Sequence, residues 1–490
     1  MRTPIRRIPA APAALSVLAA LALAARVPGA PAQEDEDRYV AIHCGRLITG
    51  AGEEKEKVTL LVKNGKVERI GEKLTLPHPC EVIDAGGLTV MPGHLHLHSR
   101  LSLLDYPRAG MRADLKVIDE FLPAPGAFDA ALQAGFTTLQ LVAPGTTGIP
   151  GRCLVVRTAD VGGGHAVDDD GAVKVNLLNP AQDRKLLADA LVNAKKEIEK
   201  VEKARADFEA KKKAAEEAKK KEEEAKKQQP APGGPPGQPP PPPPQPTPPP
   251  KADDPPKPPE PQPKPEEKPA EKPAEKKEEQ FQPPPIAPPL QPFVDLIQKK
   301  PGSFAYVRLG GASSYLHFLE ATRDFEIAHV LHPEVTPARG RPQAFSGVSG
   351  SDLDRVAGSF GERKELVVLA PYLSYLQGSV DYVNVPKAMA AAGARVALTP
   401  ANDGAEELHA WRYNVAELVK GGMRRADALA AITKNAAEAA GVGDRLGTLE
   451  PGKDANLVLL TGDPFDVQTV VERVVIEGVV VWTRAKKTRS

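Results

Sequence analysis

The sequence predicts an α/β fold, and three features carry that prediction: paired apolar strands near both ends, a strand of alternating histidines, and strand-and-helix units between them. Tyr39 to Gly50 and Leu60 to Gly71 are apolar-rich runs. The second holds Asn64-Gly65, the strongest short hairpin signal, because both central residues of a type I′ turn need positive φ. Glu81 to Val90 is a third run and ends in Met91-Pro92-Gly93. His94-Leu95-His96-Leu97-His98-Ser99-Arg100 follows it. Side chains two apart on a strand share a face. His94, His96, His98 and Arg100 are therefore expected on one face, with Leu95 and Leu97 on the other. Ala130 to Ala134 is a helical run and Phe136 to Val142 a buried strand. Late in the chain Ala428, Ala431, Ile432, Ala436 and Ala439 recur at helical spacing. Leu457 to Leu460 and Val474 to Ile476 are apolar strands.

Charge and composition narrow the partners. The 64 basic residues balance the 64 acidic ones, which leaves no general basic excess for a nucleic acid. An aromatic fraction of 4% gives little material for stacking sugars or bases. The chain opens with Arg2, Arg6 and Arg7, an apolar run from about Ala10 to Val27, and Ala30-Pro31-Ala32 before Gln33-Glu34-Asp35-Glu36. That is the pattern of a secretory signal peptide over residues 1–32. The expectation is an exported protein, periplasmic or extracellular. Cys44, Cys80 and Cys153 are too few for a disulfide framework, although a single Cys44–Cys80 bridge is compatible with the spacing.

Composition breaks after Asn179-Pro180. Residues 184–229 are rich in Ala, Glu and Lys, the strong helix formers. Leu186, Leu187, Ala190, Leu191, Ala194 and Ile198 give the early turns an apolar stripe, which fades beyond Phe208. The later turns should be a solvated helix supported by charge pairs four residues apart. Residues 230–292 hold more than half of the chain's 52 prolines, a polyproline-II-like composition that cannot build a core. Such a segment projects as a linker or arm. An envelope protein that recognises proline is the partner it would suit.

The closing seventy residues carry a resemblance. Residues 431–437 read A-I-T-K-N-A-A, residues 447–458 read G-T-L-E-P-G-K-D-A-N-L-V, and Gly462-Asp463-Pro464 follows. This run resembles the end of amidohydrolase superfamily proteins. The Pro92-Gly93 run-in to a histidine strand resembles their beginning, and residues 113–152 are similar to an imidazolonepropionase-like branch. The resemblance implies a (β/α)₈ TIM-like barrel beside a small β-sandwich built from both chain ends. It divides the chain into sandwich at 33–88 and 446–484, barrel at 89–183 and 293–445, the insertion at 184–292, and a basic tail at 485–490. It also implies a hydrolase acting on carbon–nitrogen bonds of a small cyclic or amide substrate through metal-activated water.

The ligand set departs from that pattern. The family's histidine pair falls on His98 and Arg100 in one register and on His96 and His98 in the other. Strand six offers His332, with His329 within it. The aspartate expected on strand eight is Ala401, and Asp403 replaces it only if the loop bends back. No clear residue appears for strand four. His96, His98 and His332 are thus the candidate ligands for Zn²⁺ or another divalent metal, with Asp403 as base. Arginines stand at further expected positions, namely Arg100, Arg152 and Arg308. Arginine cannot ligate a metal and stays charged. A site holding no metal is the alternative. In it these arginines bind an anionic ligand such as a carboxylate, and the protein is an exported binding or scaffold module.

Overall fold

A computed structural model describes residues 37–104, 106, 108, 110–227, 280–335, 351–376 and 379–485. The signal-peptide segment, most of the proline-rich run and nearly all of the basic tail lie outside them.

Four strands open the chain: β1 (Tyr39–Ile48), β2 (Glu54–Lys63), β3 (Lys66–Gly71) and β4 (Glu81–Pro92). Asn64 and Gly65 take φ of 49° and 80° at the β2–β3 turn, the left-handed pair that the hairpin requires. β5 (His94–Ser99) and β6 (Phe136–Leu141) follow. Next come β7 (Gly151–Arg152), β8 (Leu154–Arg157), β9 (Ala166–Asp168) and β10 (Val173–Leu177). β11 (Ala305–Leu309), β12 (His329–Pro333) and β13 (Leu366–Leu369) precede a small hairpin of β14 (Ser374–Tyr375) and β15 (Tyr382–Val383). β16 (Arg395–Leu398), β17 (Leu457–Leu460), β18 (Val471–Ile476) and β19 (Val479–Thr483) complete the set.

The two chain ends meet in one seven-stranded sheet, ordered β19-β18-β17-β4-β1-β2-β3. The expected pairing of both ends is present. The strands expected to form the sandwich are hydrogen-bonded into one continuous ladder, in which β17 joins the edge of β4 with Leu457 opposite Pro92. The same sheet rules out the Cys44–Cys80 bridge. Val40 pairs with Glu81 and Cys44 with Ala85, so the two cysteines stand about five positions apart. At ~3.3 Å per residue that is roughly 16 Å, far beyond disulfide reach. All three cysteines are free.

The central body is a TIM-barrel-like α/β arrangement. β10, β11, β12, β13 and β16 form parallel neighbours, and β5 and β6 are a second parallel pair. The place between β6 and β10 is filled by an antiparallel run. β8 pairs with β6, and β7 pairs with β10. Among the described residues no ladder joins β5 to β16. Gly93 lets the chain pass from β4 into β5, since a Cβ there would stand 2.2 Å from Thr137 Cγ2.

Alternate residues of the central strands separate two cores. Leu139, Leu141, Val175, Val307, Leu331, Val367 and Leu398 pack towards the helices. Leu95, Leu97, Tyr306, Val330, Val368 and Ala397 form the other cluster, with Cys153.

The helix Pro180–Lys227 leaves directly after β10. Leu187, Ala190, Leu191 and Ala194 are buried on it. Burying each leucine is worth roughly 1.5–3 kcal/mol, enough to dock this root. From Glu209 to Lys221 every residue is exposed. The chain returns beside the helix, with Phe281 against Phe208 at 5.6 Å between ring centres. Gln291 and Pro292, expected as linker, begin a short helix, Gln291–Ile297. Among the described residues no helix is long and apolar enough to cross a membrane.

Candidate functional site

The site is built at the C-terminal ends of the parallel strands, where barrel folds place their chemistry. β5 does not keep the strict alternation expected for it. Its ladder with β6 is irregular between His94 and Leu95 and again between His96 and Ser99. Its histidines are therefore not presented as one row. His94 is fully buried against Phe136 and Trp411. Burial, with the nearby Arg412 charge, pushes it down to about 3. His98 instead faces His332, with ring centres 4.8 Å apart.

His96 lies between β5 and the segment after β16. Thr399 Oγ1 is 2.9 Å from its Nδ1 and accepts the Leu97 backbone N–H, also at 2.9 Å. The loop after β16 does bend back. Asp403 Oδ1 is 3.2 Å from His96 Nε2, though not aligned for a linear hydrogen bond. Its Oδ2 accepts the Arg100 N–H at 2.8 Å. Burial alone would raise the Asp403 carboxyl. The contact and charge of His96, with Ser99 and the Arg100 N–H, outweigh this and hold it below the usual value.

Tyr306 links the other two histidines. Its hydroxyl is 2.8 Å from His332 Nδ1 and 3.4 Å from His98 Nδ1. Burial and the charges of Arg308, Lys174 and His96 push His332 down to about 3. Burial and the charges of His332, Lys174, Arg308 and His96 hold His98 well below the ordinary imidazole value.

The structure thus brings His96, His98, His332 and Asp403 together. Arg308 borders them, directly opposite His332 in the β11–β12 ladder, and its guanidinium is paired with Glu334. Arg100 is exposed at the rim. Arg152 does not join the group. It stands opposite Val173 in the β7–β10 ladder, on the face away from Lys174. Its guanidinium is held by Asp170 at 2.7 Å. His329 also lies elsewhere, at the other end of β12, with Nε2 2.8 Å from Glu365.

Lys174 is the residue that sequence reasoning missed on strand four. It sits in β10, is 2% exposed, and donates to Ala143 O at 2.6 Å and Gly145 O at 2.9 Å. The signal was a lone lysine inside the apolar run Val173-Lys174-Val175.

These residues do not fit a divalent metal. A structural zinc takes four donors, and a catalytic one three plus water. Of the His96 nitrogens, Nδ1 is taken by Thr399, while Nε2 stands 3.2 Å from Asp403 Oδ1 with no hydrogen bond between them. The Nδ1 atoms of His98 and His332 share the Tyr306 hydroxyl, and two fixed cations stand beside them. Among the described residues no group of three or more His, Cys, Asp or Glu side chains is placed to hold a metal ion.

Comparison with known proteins agrees with the C-terminal motifs. The amidohydrolase family model matches residues 326–481. A dihydroorotase of Pelobacter propionicus is 32% identical over 159 residues, covering 28% of this chain and 37% of that protein. One from Geotalea daltonii is 39% identical over 69 residues, covering 14% and 16%. The chain therefore spans 37% and 16% of the length of these two curated relatives. An amidohydrolase structure from Thermotoga maritima shares the fold at a TM-score of 0.61 and 20% identity, over 91% of this chain and 100% of that one. Residues 326–481 thus match the amidohydrolase family in motif and in family model, and the body shares the fold of a solved amidohydrolase.

Proposed function

We propose that this protein binds a small anionic molecule at the mouth of its barrel and does not run the superfamily's metal-dependent hydrolysis. The observation that supports this reading is the donor set. One ring nitrogen of each histidine that would hold a metal is taken, by Thr399 or by Tyr306, and Lys174 and Arg308 supply fixed positive charge beside them. Like charge beside a divalent ion is unfavourable in a low-dielectric cleft. The same charge attracts a carboxylate. Arg308 and Arg100 are the arginines placed to meet it at the mouth.

A second reading is favoured by the convergence of His96, His98, His332 and Asp403 and by the match to dihydroorotases. It is a hydrolase of carbon–nitrogen bonds dependent on Zn²⁺ or a similar metal. Elemental analysis of protein purified without a histidine tag separates the two. The binding reading expects metal well below one equivalent even after incubation with Zn²⁺. It also expects Arg308→Gln to weaken carboxylate binding at least tenfold, about 1.4 kcal/mol. One equivalent of zinc, lost in His98→Ala, would establish the hydrolase reading instead.

We further place the protein outside the cytoplasm, on the strength of residues 1–32, with the proline-rich arm as the contact for an envelope partner. Cell fractionation tests the first. Retention of a partner by the full chain, and its loss on deleting residues 231–291, tests the second.

A further inference from the structure

The ammonium of Lys174 is held by two backbone carbonyls, Ala143 O at 2.6 Å and Gly145 O at 2.9 Å. Carbonyl oxygens only accept hydrogen bonds, so the group facing them must carry protons. A lysine carboxylated on Nζ keeps a single N–H there and could satisfy at most one of the two carbonyls.

The surrounding face is polar and incompletely satisfied. Parallel pairing sets Lys174 beside Tyr306, Asn176 beside Arg308, and Arg308 beside His332, so these five residues share one face of the ladder. Gln140 joins them through Cys153, which it approaches and which clusters with Tyr306. Gln140 and Asn176 are each 1% exposed. Both polar atoms of Gln140, Asn176 Oδ1 and Arg308 Nε have no hydrogen-bond partner in the structure. Buried polar atoms are seldom left so, and four around one cation mark a place for a bound polar molecule or for water.

We propose that Lys174 is a built-in cation that takes the place of the divalent ion, and that the polar face around it receives a small carboxylate. Arg308 Nε–H and the Gln140 amide N–H supply directional bonds to a planar anion. Asn176 Oδ1 and Gln140 Oε1 favour a ligand that also carries an N–H or O–H donor. This rests on the anion-binding reading above and names Lys174 as its centre.

The test uses the full chain, with Zn²⁺, ¹³C-bicarbonate and succinate as probes. Wild type should show no ¹³C carbamate resonance and no stoichiometric Zn²⁺ uptake, and succinate should raise its melting temperature. Lys174→Gln should lose succinate affinity at least tenfold, and Lys174→Arg should retain most of it. A carbamate signal with one equivalent of Zn²⁺ overturns the proposal and needs no variant, so it stands even if Lys174→Gln fails to fold. Succinate affinity lost in Arg308→Gln but unchanged in Lys174→Gln overturns the role of Lys174 and leaves the anion-binding reading intact. No response of wild type to succinate overturns the ligand assignment.

Discussion

Three buried histidines give this protein an acid-sensitive core. Burial is the leading cause for each. His94 and His332 are pushed to about 3, and His98 is held well below its ordinary value. Unfolding would return each to about 6.5 and let it bind a proton. A group whose folded value is depressed by burial in the neutral form takes up its proton only on unfolding. Stability is therefore full above pH 6.5 and falls as the pH drops from there. Each such proton is worth about 1.4 kcal/mol per pH unit, so three give a slope of roughly 4 kcal/mol per unit below pH 6. Urea titrations at pH 7, 6 and 5 measure that slope, and His94→Phe should remove about a third of it. Asp403 adds to it only at lower pH. Its folded value is lowered, so its contribution is present above the ordinary carboxylate value and is lost as the pH falls below it.

At the scale of elements, the parts with strong local signals were legible. Asn64-Gly65 turned where expected, the strands near both ends paired, and the 447–458 motif led into β17. Irregular pairing was not legible. The register shift between His96 and Ser99 sends His98 to Tyr306 and His332, and nothing in an alternating His-Leu pattern announces a bulge. The face of Arg152 was equally hidden, because it depends on an antiparallel partner standing where a parallel strand was expected. Lys174 went unread because a buried lysine looks like an error in an apolar strand until its carbonyl acceptors are seen.

The long helix has a similarly hidden root. Asp183 is 4% exposed, and its carboxylate accepts the backbone N–H groups of Leu178 and Asn179 at 3.1 and 2.8 Å and of Gly148 at 3.3 Å. Asp183→Ala leaves those donors unmet and should cost about 2–3 kcal/mol. Asp183→Asn, which keeps the acceptor oxygen, should recover part of it. Equal loss in both variants under urea unfolding would show that the carboxylate is not the anchor.

On the scale of the whole molecule, the long helix and the site point in opposite directions. β10 ends at Leu177 on the site's side, and the helix beginning at Pro180 runs back along the body. At ~1.5 Å per residue its 48 residues measure roughly 70 Å, so its far turns pass beyond the barrel's other end. Deleting residues 211–278 and joining the stubs should leave the melting temperature within about 2 °C and small-molecule affinity within about twofold, because Lys211 to Lys221 are all exposed. A larger change in either would mean that the arm touches the barrel or its mouth.

The Phe208–Phe281 contact gives this geometry its last consequence. It fixes the outgoing helix and the returning chain at one level. The helix from Glu209 to Lys227 adds a stand-off of roughly 28 Å. A molecule held at the far end of that helix would keep its mouth on the opposite side, towards open solvent.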